Sequence, residues 1–288
     1  MKPPRFDYHA PLSLDEALEL RSAFADDSVV LAGGQSLIPL LSMRLAMPGT
    51  VIDIGRIEAL AGIAADNGTL ALGAMARQRA AERSALVQEA CPLLRQALLH
   101  VAHPTIRNRG TVGGSIAHAD PAAELPAVAT ALDAQLVARS IRGERTIAAA
   151  DFFLGPLTTA LEPDELLVEV QLPRAAPRSG SAFVEVARRH GDFALVGAAA
   201  SVTLAGDGTI AEARLAFTGV GGTPVRARDA ESALADRAEI DEASRVAAEH
   251  LEPATDIHAS ASYRKRVAAV VARRALTQAA AAAGEERL

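Results

Sequence analysis

Two short segments with paired glycines carry the residue types in this chain that are best suited to bind an anion. They span residues 32–36 and 111–115, and each follows a stretch that can form a strand. Glycine tolerates positive φ and has no Cβ to obstruct a ligand, and exposed amides beside Ser or Thr hydroxyls bind anions. Two such segments suit a ligand with two phosphates, whereas either glycine pair alone is more often a purely structural turn.

The spacing within these segments excludes two common nucleotide sites. Neither segment reads GxGxxG, the spacing of a Rossmann dinucleotide site, and neither reads GxxxxGK[ST], the spacing of a P-loop. His100 and His103 are spaced as potential metal ligands, but no HExxH sequence surrounds them. We therefore predict a polar pair near a helix end before Pro104, and no metal site.

The chain contains a single cysteine, Cys91. One thiol excludes an intrachain disulfide, and it also excludes an iron–sulfur cluster, which takes about four thiolates. Zinc sites built on cysteine pairs are excluded for the same reason. If the protein performs redox chemistry, its own electron carrier is therefore expected to be an organic cofactor.

Composition narrows the class of protein further. The 288 residues allow one large domain or two ordinary ones, and half of them are hydrophobic, which is enough for a substantial core. The net charge of −6 argues against a nucleic acid or an anionic membrane as partner. No apolar run approaches the roughly 20 residues that span a bilayer, and the first residues lack the apolar core of a signal peptide. A cytoplasmic location is expected.

The elements around the first glycine segment predict a strand–turn–helix–strand unit. Residues 28–31 form a short apolar run that leads into the turn, and 40–47 are predicted to be helical. Residues 51–55 have the pattern of a buried strand, so the unit predicts a small parallel sheet. A capping box at 13–16 predicts a preceding helix that ends near Phe24.

Helices are predicted on both sides of the second glycine segment. One covers 82–101 with a break at Pro92, and an alanine-rich one covers 121–132. Asn67-Gly68 between two apolar runs predicts a β-hairpin. Strands are predicted over 62–64, 69–72, 134–140 and 165–172.

A domain boundary is predicted within 173–180, which holds two prolines, two basic residues, Ser179 and Gly180. The domains are accordingly 1–176, in two α/β parts, and 177–288. The second domain is predicted to contain a three-stranded antiparallel sheet followed by helices. Its strands cover 182–188, 194–204 and 212–219, and its helices begin near 227, 241 and 262, the last continuing to the end of the chain.

Several segments together are more specific than any one of them. The chain reads AGGQSLIPLL at 32–41 and TIRNRGTVGGSIAHADPAAELPA at 105–127, and it opens with FDYHAPLSLDEAL. It also contains ARRHGDFALVG at 187–197 and SYRKRVAAVVARRAL at 262–276. In this order the segments resemble the FAD-binding medium subunit of molybdenum hydroxylases, the group of xanthine dehydrogenases and aerobic carbon monoxide dehydrogenases. The resemblance covers the whole chain.

The resemblance implies an α+β fold and a set of FAD-binding residues. The first domain would be a two-part FAD-binding domain of the PCMH/vanillyl-alcohol-oxidase type, and the second the C-terminal domain of the carbon monoxide dehydrogenase flavoprotein. Both glycine segments would hold the pyrophosphate and ribityl chain through amides and hydroxyls, an acidic residue would help to bind the dinucleotide, and apolar side chains would pack on its rings. The implied residues are Leu31, Ala32, Gly33, Gly34, Gln35, Ser36, Leu37, Ile38, Thr111, Val112, Gly113, Gly114, Ser115, Asp120, Glu124, Leu166, Leu167 and Phe193.

Three of these residues also have structural interpretations that do not involve a ligand. Glu124 can occupy a solvated helix N-terminus, where acidic residues are favoured. Asp120 is better suited to capping a turn than to catalysis. Phe193 lies in a loop that would approach the flavin, but a phenylalanine is more often a core residue.

In the family that the chain resembles, a molybdenum cofactor on a large subunit oxidises the substrate. Electrons cross two [2Fe–2S] clusters on a small subunit and reach FAD on the medium subunit, which passes them to an external acceptor. The resemblance therefore implies that this chain has no catalytic side chain and assembles with both subunits as a dimer of heterotrimers. The single cysteine agrees with this division, although some family members carry an inserted cluster loop in this subunit.

Two other functions remain open at this point. The chain could be a scaffold subunit of the same complex that holds no flavin, although its intact glycine segments argue against this. It could also be a self-contained FAD oxidase, but no covalent flavin anchor or substrate base is evident in the sequence.

Overall fold

The computed structural model describes residues 2–66 and 68–285 of the chain. Its first sheet is the parallel unit predicted around the first glycine segment, with strand order β1-β3-β2. The capping box is present, since Oγ of Ser13 accepts a hydrogen bond from the Glu16 amide at 3.2 Å. The elements are β1 (Asp7–His9), α1 (Leu14–Phe24), β2 (Ser28–Leu31), α2 (Leu37–Ser42) and β3 (Thr50–Asp53), with 3-10 turns at Ala25–Asp27 and Glu58–Leu60.

A second, antiparallel sheet has the strand order β4-β5-β10-β6-β7. The predicted hairpin is present as β4 and β5, and Asn67 in its turn lies outside the described residues. The small strands β8 and β9 pair with each other. The strands are β4 (Ile63–Asp66), β5 (Thr69–Gly73), β6 (Gln135–Ser140), β7 (Gly143–Ala148), β8 (Phe153–Gly155), β9 (Thr158–Thr159) and β10 (Leu166–Pro173).

The helical segment predicted over 82–101 is divided into shorter helices. Ser84 ends one helix and caps the next, because its Oγ accepts from the Val87 amide, and Pro92 begins a third helix. Proline has no backbone N–H, but an N–H at the first position of a helix has no acceptor within the helix, so proline is tolerated there. The helices of this part are α3 (Gln78–Arg83), α4 (Ala85–Ala90), α5 (Pro92–His100), α6 (Pro104–Arg107), α7 (Val112–His118), α8 (Glu124–Ala131) and α9 (Ala149–Phe152).

The C-terminal part is one antiparallel sheet of order β11-β12-β13-β14, followed by helices. The sheet has four strands rather than the predicted three. The additional edge strand has only two residues, which is too short to show a period in the sequence. The elements are β11 (Ser179–Ala187), β12 (Ala194–Leu204), β13 (Ile210–Thr218), β14 (Val225–Arg226), α10 (Arg228–Ala235), α11 (Ile240–Glu249) and α12 (Ala261–Gly284).

Both faces of the C-terminal sheet are covered. One face packs on α10, α11 and α12. The other face carries Phe183, Ala199 and Ala216, which join the core formed by α5, α8 and the second sheet. Residues two positions apart on a strand share a face, so Glu185 points to the same side as Phe183. The C-terminal sheet therefore contributes directly to the environment of α5 and α8.

Three further properties concern the described part of the chain. None of its helices combines the length and the apolar character needed to cross a membrane. Its His, Cys, Asp and Glu side chains form no group of three or more that could hold a metal ion. Burial raises the pKa of the Cys91 thiol to about 12, which makes it a poor nucleophile.

Candidate functional site

A cavity with a volume of about 730 Å³ lies between the first sheet, the second sheet and the loop that joins β11 to β12. This volume is within the range of sites that hold a small ligand or cofactor, about 300–1,000 Å³. Both glycine segments line it, and so does Phe193 from the C-terminal part. The cavity is thus built from elements that are far apart in the sequence.

The first glycine segment presents unoccupied backbone donors. Within the described residues, the amides of Gly33, Gly34, Gln35 and Ser36 donate to no protein acceptor. Gly34 has φ +74°, and the Gln35 side chain folds back so that its Nε2 donates to the Gly33 carbonyl at 3.0 Å. Consecutive free amides in a turn form an anion site. The segment therefore has the donors that a phosphate or diphosphate needs.

The second glycine segment differs from the expectation because it is the first turn of helix α7. Its amides are already used: Val112 and Gly113 donate to Ala76 and Ala74 carbonyls at 2.9 Å, and Gly114 and Ser115 donate to Thr111 at 3.0 and 3.2 Å. These four amides are occupied, so this segment does not offer the amide cradle that its sequence suggests. What it adds to the cavity is a close-packed wall and the Ser115 hydroxyl.

The two segments are packed against each other through Gly33. A Cβ at this position would lie 2.5 Å from the Arg109 carbonyl oxygen and 2.8 Å from Cα of Gly110. Both are backbone atoms of the turn that precedes α7. Gly33 is therefore required for the close approach of the two segments, because any side chain would separate them.

Among the carboxyl groups of the cavity wall, Glu124 has the pKa that departs most from its ordinary value. It begins α8 and is only 5% exposed. Burial, with smaller contributions from the negative charges of Glu185 and Asp120, raises its pKa to about 8, and Arg107 offsets this in part. The interpretation of Glu124 as a solvated helix N-terminus is therefore wrong. At neutral pH its carboxyl is protonated and can donate a hydrogen bond into the cavity.

Three other charged residues of the cavity wall have hydrogen-bond partners within the protein. Oδ1 of Asp120 accepts from the Ala122 amide at 2.8 Å, which is the turn-capping role that the sequence predicts. Glu165 accepts two hydrogen bonds from Arg145, at 2.7 and 2.8 Å, and these lower its pKa. Arg21 is the one Lys or Arg among the described residues that line the cavity. Its Nη1 donates to the Ser28 carbonyl at 3.0 Å.

Phe193 lies at the edge of the cavity, at the end of the loop over 188–193, and is 59% exposed. The loop is fixed by Gly191, which has φ +87° and packs on Ala102 and His103. A Cβ on Gly191 would come within 2.7 Å of the His103 ring and 3.0 Å of the Ala102 carbonyl oxygen. The sequence-based alternative, in which Phe193 is a core residue, is therefore wrong.

Truncation of Phe193 should leave the stability of the protein almost unchanged. We expect Phe193→Ala to lower the free energy of unfolding by less than about 1 kcal/mol, because Phe193 is more than half exposed to water in the folded protein. Phe152→Ala is the matched control, since Phe152 is fully buried and its loss should cost about 3–5 kcal/mol. Denaturant unfolding of both variants measures the difference. Equal losses would contradict the exposed position of Phe193.

Most of the residues proposed from the sequence come together in this cavity. Three of them do not line it: Leu31 ends β2, Ile38 is 46% exposed on α2, and Val112 begins α7 and is buried in the core. The residues that do line it are Ala32, Gly33, Gly34, Gln35, Ser36, Leu37, Thr111, Gly113, Gly114, Ser115, Asp120, Glu124, Leu166, Leu167 and Phe193.

Several lining residues have no signal in the sequence. Met75 and Gln78 follow β5, Ala102 follows α5, and Leu157 and Leu161 lie around β9. None of them belongs to a motif, and each reaches the cavity only because its strand or helix ends there. Oε1 of Gln78 is buried without a hydrogen-bond partner among the described residues, which marks it as part of a polar environment.

Comparison with protein families gives two matches that together cover nearly the whole chain. Residues 4–175 match the family described as the FAD binding domain in molybdopterin dehydrogenase. Residues 181–279 match the CO dehydrogenase flavoprotein C-terminal domain. The two matched ranges meet near the end of β10 and the start of β11.

Individual relatives are similar over almost their full length. The chain is 42% identical to the 6-hydroxypseudooxynicotine dehydrogenase complex subunit alpha of Paenarthrobacter nicotinovorans, covering 97% of this chain and 96% of the relative. It is 39% identical to the carbon monoxide dehydrogenase medium chain of Hydrogenophaga pseudoflava, covering 97% and 98%.

Solved structures show the same similarity in three dimensions. A carbon monoxide dehydrogenase structure from Hydrogenophaga pseudoflava superposes with a TM-score of 0.94 at 41% identity, covering 98% of this chain and 99% of that one. Quinoline 2-oxidoreductase from Pseudomonas putida 86 gives 0.93 at 38% identity, covering 99% and 100%. The arrangement of sheets and helices is therefore common to these proteins and to this chain.

Proposed function

Because this chain belongs to the family of FAD-binding domains of molybdopterin dehydrogenases, we propose that its cavity is the FAD site and that the residues above hold the cofactor. The chain is the FAD-binding medium subunit of a molybdenum hydroxylase, an enzyme of several subunits. The observation that carries the assignment to this cavity is the row of four unoccupied amides in the first glycine segment.

The cavity residues fit a dinucleotide. Residues 33–36 line the cavity with free amides that could bind a diphosphate, and the Arg21 guanidinium is a further positive charge on the wall. Apolar side chains such as Leu166 and Leu167 offer packing surfaces for the ring systems. The acidic residues can accept hydrogen bonds from ribityl or ribose hydroxyls, and a protonated Glu124 can donate one.

When it is bound, the flavin would act as the electron carrier, which accepts electrons singly or in pairs and releases them to an acceptor. The contribution of this chain is to hold the cofactor and to control access to it. The amides of 33–36 would bind the phosphates, and Phe193 would cover the flavin end of the cavity and exclude water. No side chain of this chain would form or break a substrate bond, since the substrate site would lie on another subunit.

The finer features remain proposals supported by the resemblance. The N-terminal domain would be of the PCMH/vanillyl-alcohol-oxidase type over 1–176, and the C-terminal domain would cover 177–288. The electron donor would be a small subunit with [2Fe–2S] clusters, and a large subunit would carry the molybdenum cofactor. The assembly would be a dimer of heterotrimers in the cytoplasm. The support for these proposals is the resemblance, together with relatives that are named carbon monoxide dehydrogenase medium chain and nicotine 6-hydroxylase medium subunit.

The purified full chain is expected to bind one FAD per molecule without a covalent bond. Acid precipitation should release all of the flavin into the supernatant, because no covalent anchor is evident. FMN should bind much more weakly, because it lacks the adenosine monophosphate part of FAD, which would occupy the remainder of the cavity. Absorbance and chromatography of the released flavin measure both results.

Two results would contradict this proposal. Flavin that stays in the pellet would show a covalent link, and retention of FMN alone would show that the cavity does not recognise the dinucleotide. A folded chain that binds neither flavin, alone or in its complex, would support the alternative of a flavin-free scaffold subunit.

A further inference from the structure

Three titratable side chains from three different elements converge behind the wall of the cavity. His100 ends α5, Glu124 begins α8, and Glu185 lies on β11. His100 and Glu185 are in contact where the C-terminal sheet packs on α5 and α8, and the negative charge of Glu185 acts on Glu124. Glu124 alone lines the cavity, and binding of the cofactor gives no role to His100 or Glu185.

Glu185 connects this cluster to solvent through His100. Its Oε1 lies 3.3 Å from Nδ1 of His100, and the side chains are 6% and 34% exposed. Its Oε2 is buried, with no hydrogen-bond partner among the described residues. The carboxyl is therefore held at one oxygen by an imidazole that reaches water, while its other oxygen is available inside the protein.

The register of the C-terminal sheet directs Glu185 toward the start of α8. Glu185 pairs with Gly197, and Gly197 pairs with Thr218 on the next strand. A Cβ on Gly197 would lie 2.7 Å from Cγ2 of Thr218 and 3.3 Å from Cβ of Glu185, so the side chains of Glu185 and Thr218 pack closely around this glycine. The Thr218 hydroxyl donates to the Pro121 carbonyl at 2.8 Å and lies 3.0 Å from the Ala123 carbonyl oxygen. Ala123 immediately precedes Glu124.

The environment of Glu124 keeps a proton on its carboxyl. Burial is the main reason that its pKa is raised to about 8, and the negative charges of Glu185 and Asp120 add to this. Arg107 acts in the opposite direction, but its guanidinium is committed to Glu82 at 2.8 Å. At neutral pH the Glu124 carboxyl in the cavity wall is therefore protonated and can act as a proton donor.

We propose that His100, Glu185 and Glu124 form a proton path between solvent and the cavity. This inference depends on the proposal that the cavity holds FAD. The proton enters at His100, whose two ring nitrogens can accept and donate. It passes to Glu185 and from there to Glu124 through a bridging water, since Oε2 of Glu185 has no hydrogen-bond partner among the described residues. Glu124 then transfers it into the cavity.

Such a path would supply the proton that reduction of a flavin consumes. Two-electron reduction of an oxidised flavin consumes two electrons and one proton to give the reduced flavin anion. Iron–sulfur donors supply the two electrons, one at a time, and no proton. Glu124 supplies the proton and becomes a carboxylate, and Glu185 and His100 return a proton to it from water. When an acceptor removes the electrons, the proton leaves by the reverse route.

The first test uses the protein without flavin. The pKa of Glu124 is 4.5 in the unfolded chain and about 8 in the folded protein. The protonated carboxyl therefore stabilises the folded protein fully below pH 4.5, and this stabilisation is lost as the pH rises through about 8. The melting temperature of the wild type should therefore fall relative to that of Glu124→Gln across this range and run parallel above it. Glu212→Gln is the control and should not change the slope, because the Glu212 side chain on β13 is 55% exposed. A constant difference between wild type and Glu124→Gln would overturn the proposal.

The second test measures reduction of the FAD-loaded chain by dithionite, whose reactive radical delivers single electrons. The rate of flavin bleaching should fall about tenfold per pH unit above about pH 8 in the wild type. Glu124→Gln should slow it about 100-fold at neutral pH, the lower end of what a positioned acid contributes, and should remove the pH dependence. Bleaching of Glu124→Gln at the wild-type rate would overturn the proposal.

A third measurement separates the proton path from a structural role of His100. His100→Ala should slow bleaching, and added imidazole should restore it by replacing the missing ring. His250→Ala, an exposed histidine on the C-terminal side of α11, is the matched control and should have the wild-type rate. Slow bleaching of His100→Ala that imidazole does not restore would overturn the path. Failure of the wild type to bind FAD would instead contradict the proposed function. The melting test without flavin would still show whether Glu124 is protonated at neutral pH.

Discussion

Gly33→Ala is expected to release FAD from the protein and to lower the free energy of unfolding by about 1–3 kcal/mol, the usual cost of overpacking. The added methyl would lie 2.5 Å from the Arg109 carbonyl oxygen. That backbone cannot withdraw easily, because the Arg109 and Gly110 amides both donate to the Ile106 carbonyl, at 3.0 and 2.8 Å. The first glycine segment must move instead, and its free amides would leave their positions.

The comparison with Gly62→Ala makes this prediction specific. A Cβ on Gly62 meets no atom within 4 Å, so this variant should retain both flavin and stability. Flavin absorbance after gel filtration and denaturant unfolding of the flavin-free proteins measure the two effects separately. Full flavin occupancy in Gly33→Ala would refute the position assigned to the anion site.

Arg107→Met is expected to cost about 3–5 kcal/mol of stability, because it leaves a buried carboxylate without its main partner. Nε of Arg107 lies 2.8 Å from Oε2 of Glu82, with side chains 5% and 7% exposed. Nη1 of Arg107 also donates to the Val101 carbonyl at 2.7 Å and to the Ala102 carbonyl at 3.2 Å. The variant should therefore loosen the turn against which Gly191 packs, and with it the loop that carries Phe193.

The cost of Arg107→Met should depend on pH. Burial alone would raise the pKa of Glu82, but hydrogen bonds from Arg107 and Arg79 hold it below its usual value of 4.5. The stability from this pair is thus present above that value and is lost as the pH falls through the lower folded value. The difference between wild type and variant should be larger near about pH 7 than near about pH 4.

Arg142→Met provides the control for this pair. Arg142 lies 2.6 Å from Asp164 but is 62% exposed, and exposed ion pairs contribute little because water screens them. Urea unfolding of the variants at both pH values measures the costs. A similar loss in Arg142→Met and Arg107→Met would contradict the importance of burial for the Arg107–Glu82 pair.

The sequence predicted the local elements well where short-range chemistry decides them. The capping box at Ser13 begins α1, and the apolar runs on either side of the first glycine segment pair in parallel. The strands β11, β12 and β13 were also predicted, within a few residues at their ends. Caps, turns and alternating apolar residues depend on near neighbours, which are visible in the sequence.

Prediction failed where the outcome depends on segments far apart in the chain. The second glycine segment was expected to offer amides, but its amides at Val112 and Gly113 bind carbonyls that follow β5. Phe193 is a large apolar residue of the type that usually lies in a core, yet it is exposed at the cavity edge, in a loop that packs through Gly191 on the distant residues Ala102 and His103. The occupied amides and the exposed phenylalanine cannot be predicted from the residues that adjoin them in the sequence.

By itself, the sequence determined the family, the order of the elements and the segments that meet at the cavity, because these depend on composition, spacing and local backbone chemistry. Only the tertiary structure decided which donors are free and which acids are neutral. The amides of 33–36 are available because no strand or helix consumes them, and Glu124 retains its proton because folding buries it near Asp120 and Glu185. Burial and charge proximity are properties of the folded chain, since they arise between residues that only the packing of distant elements brings together.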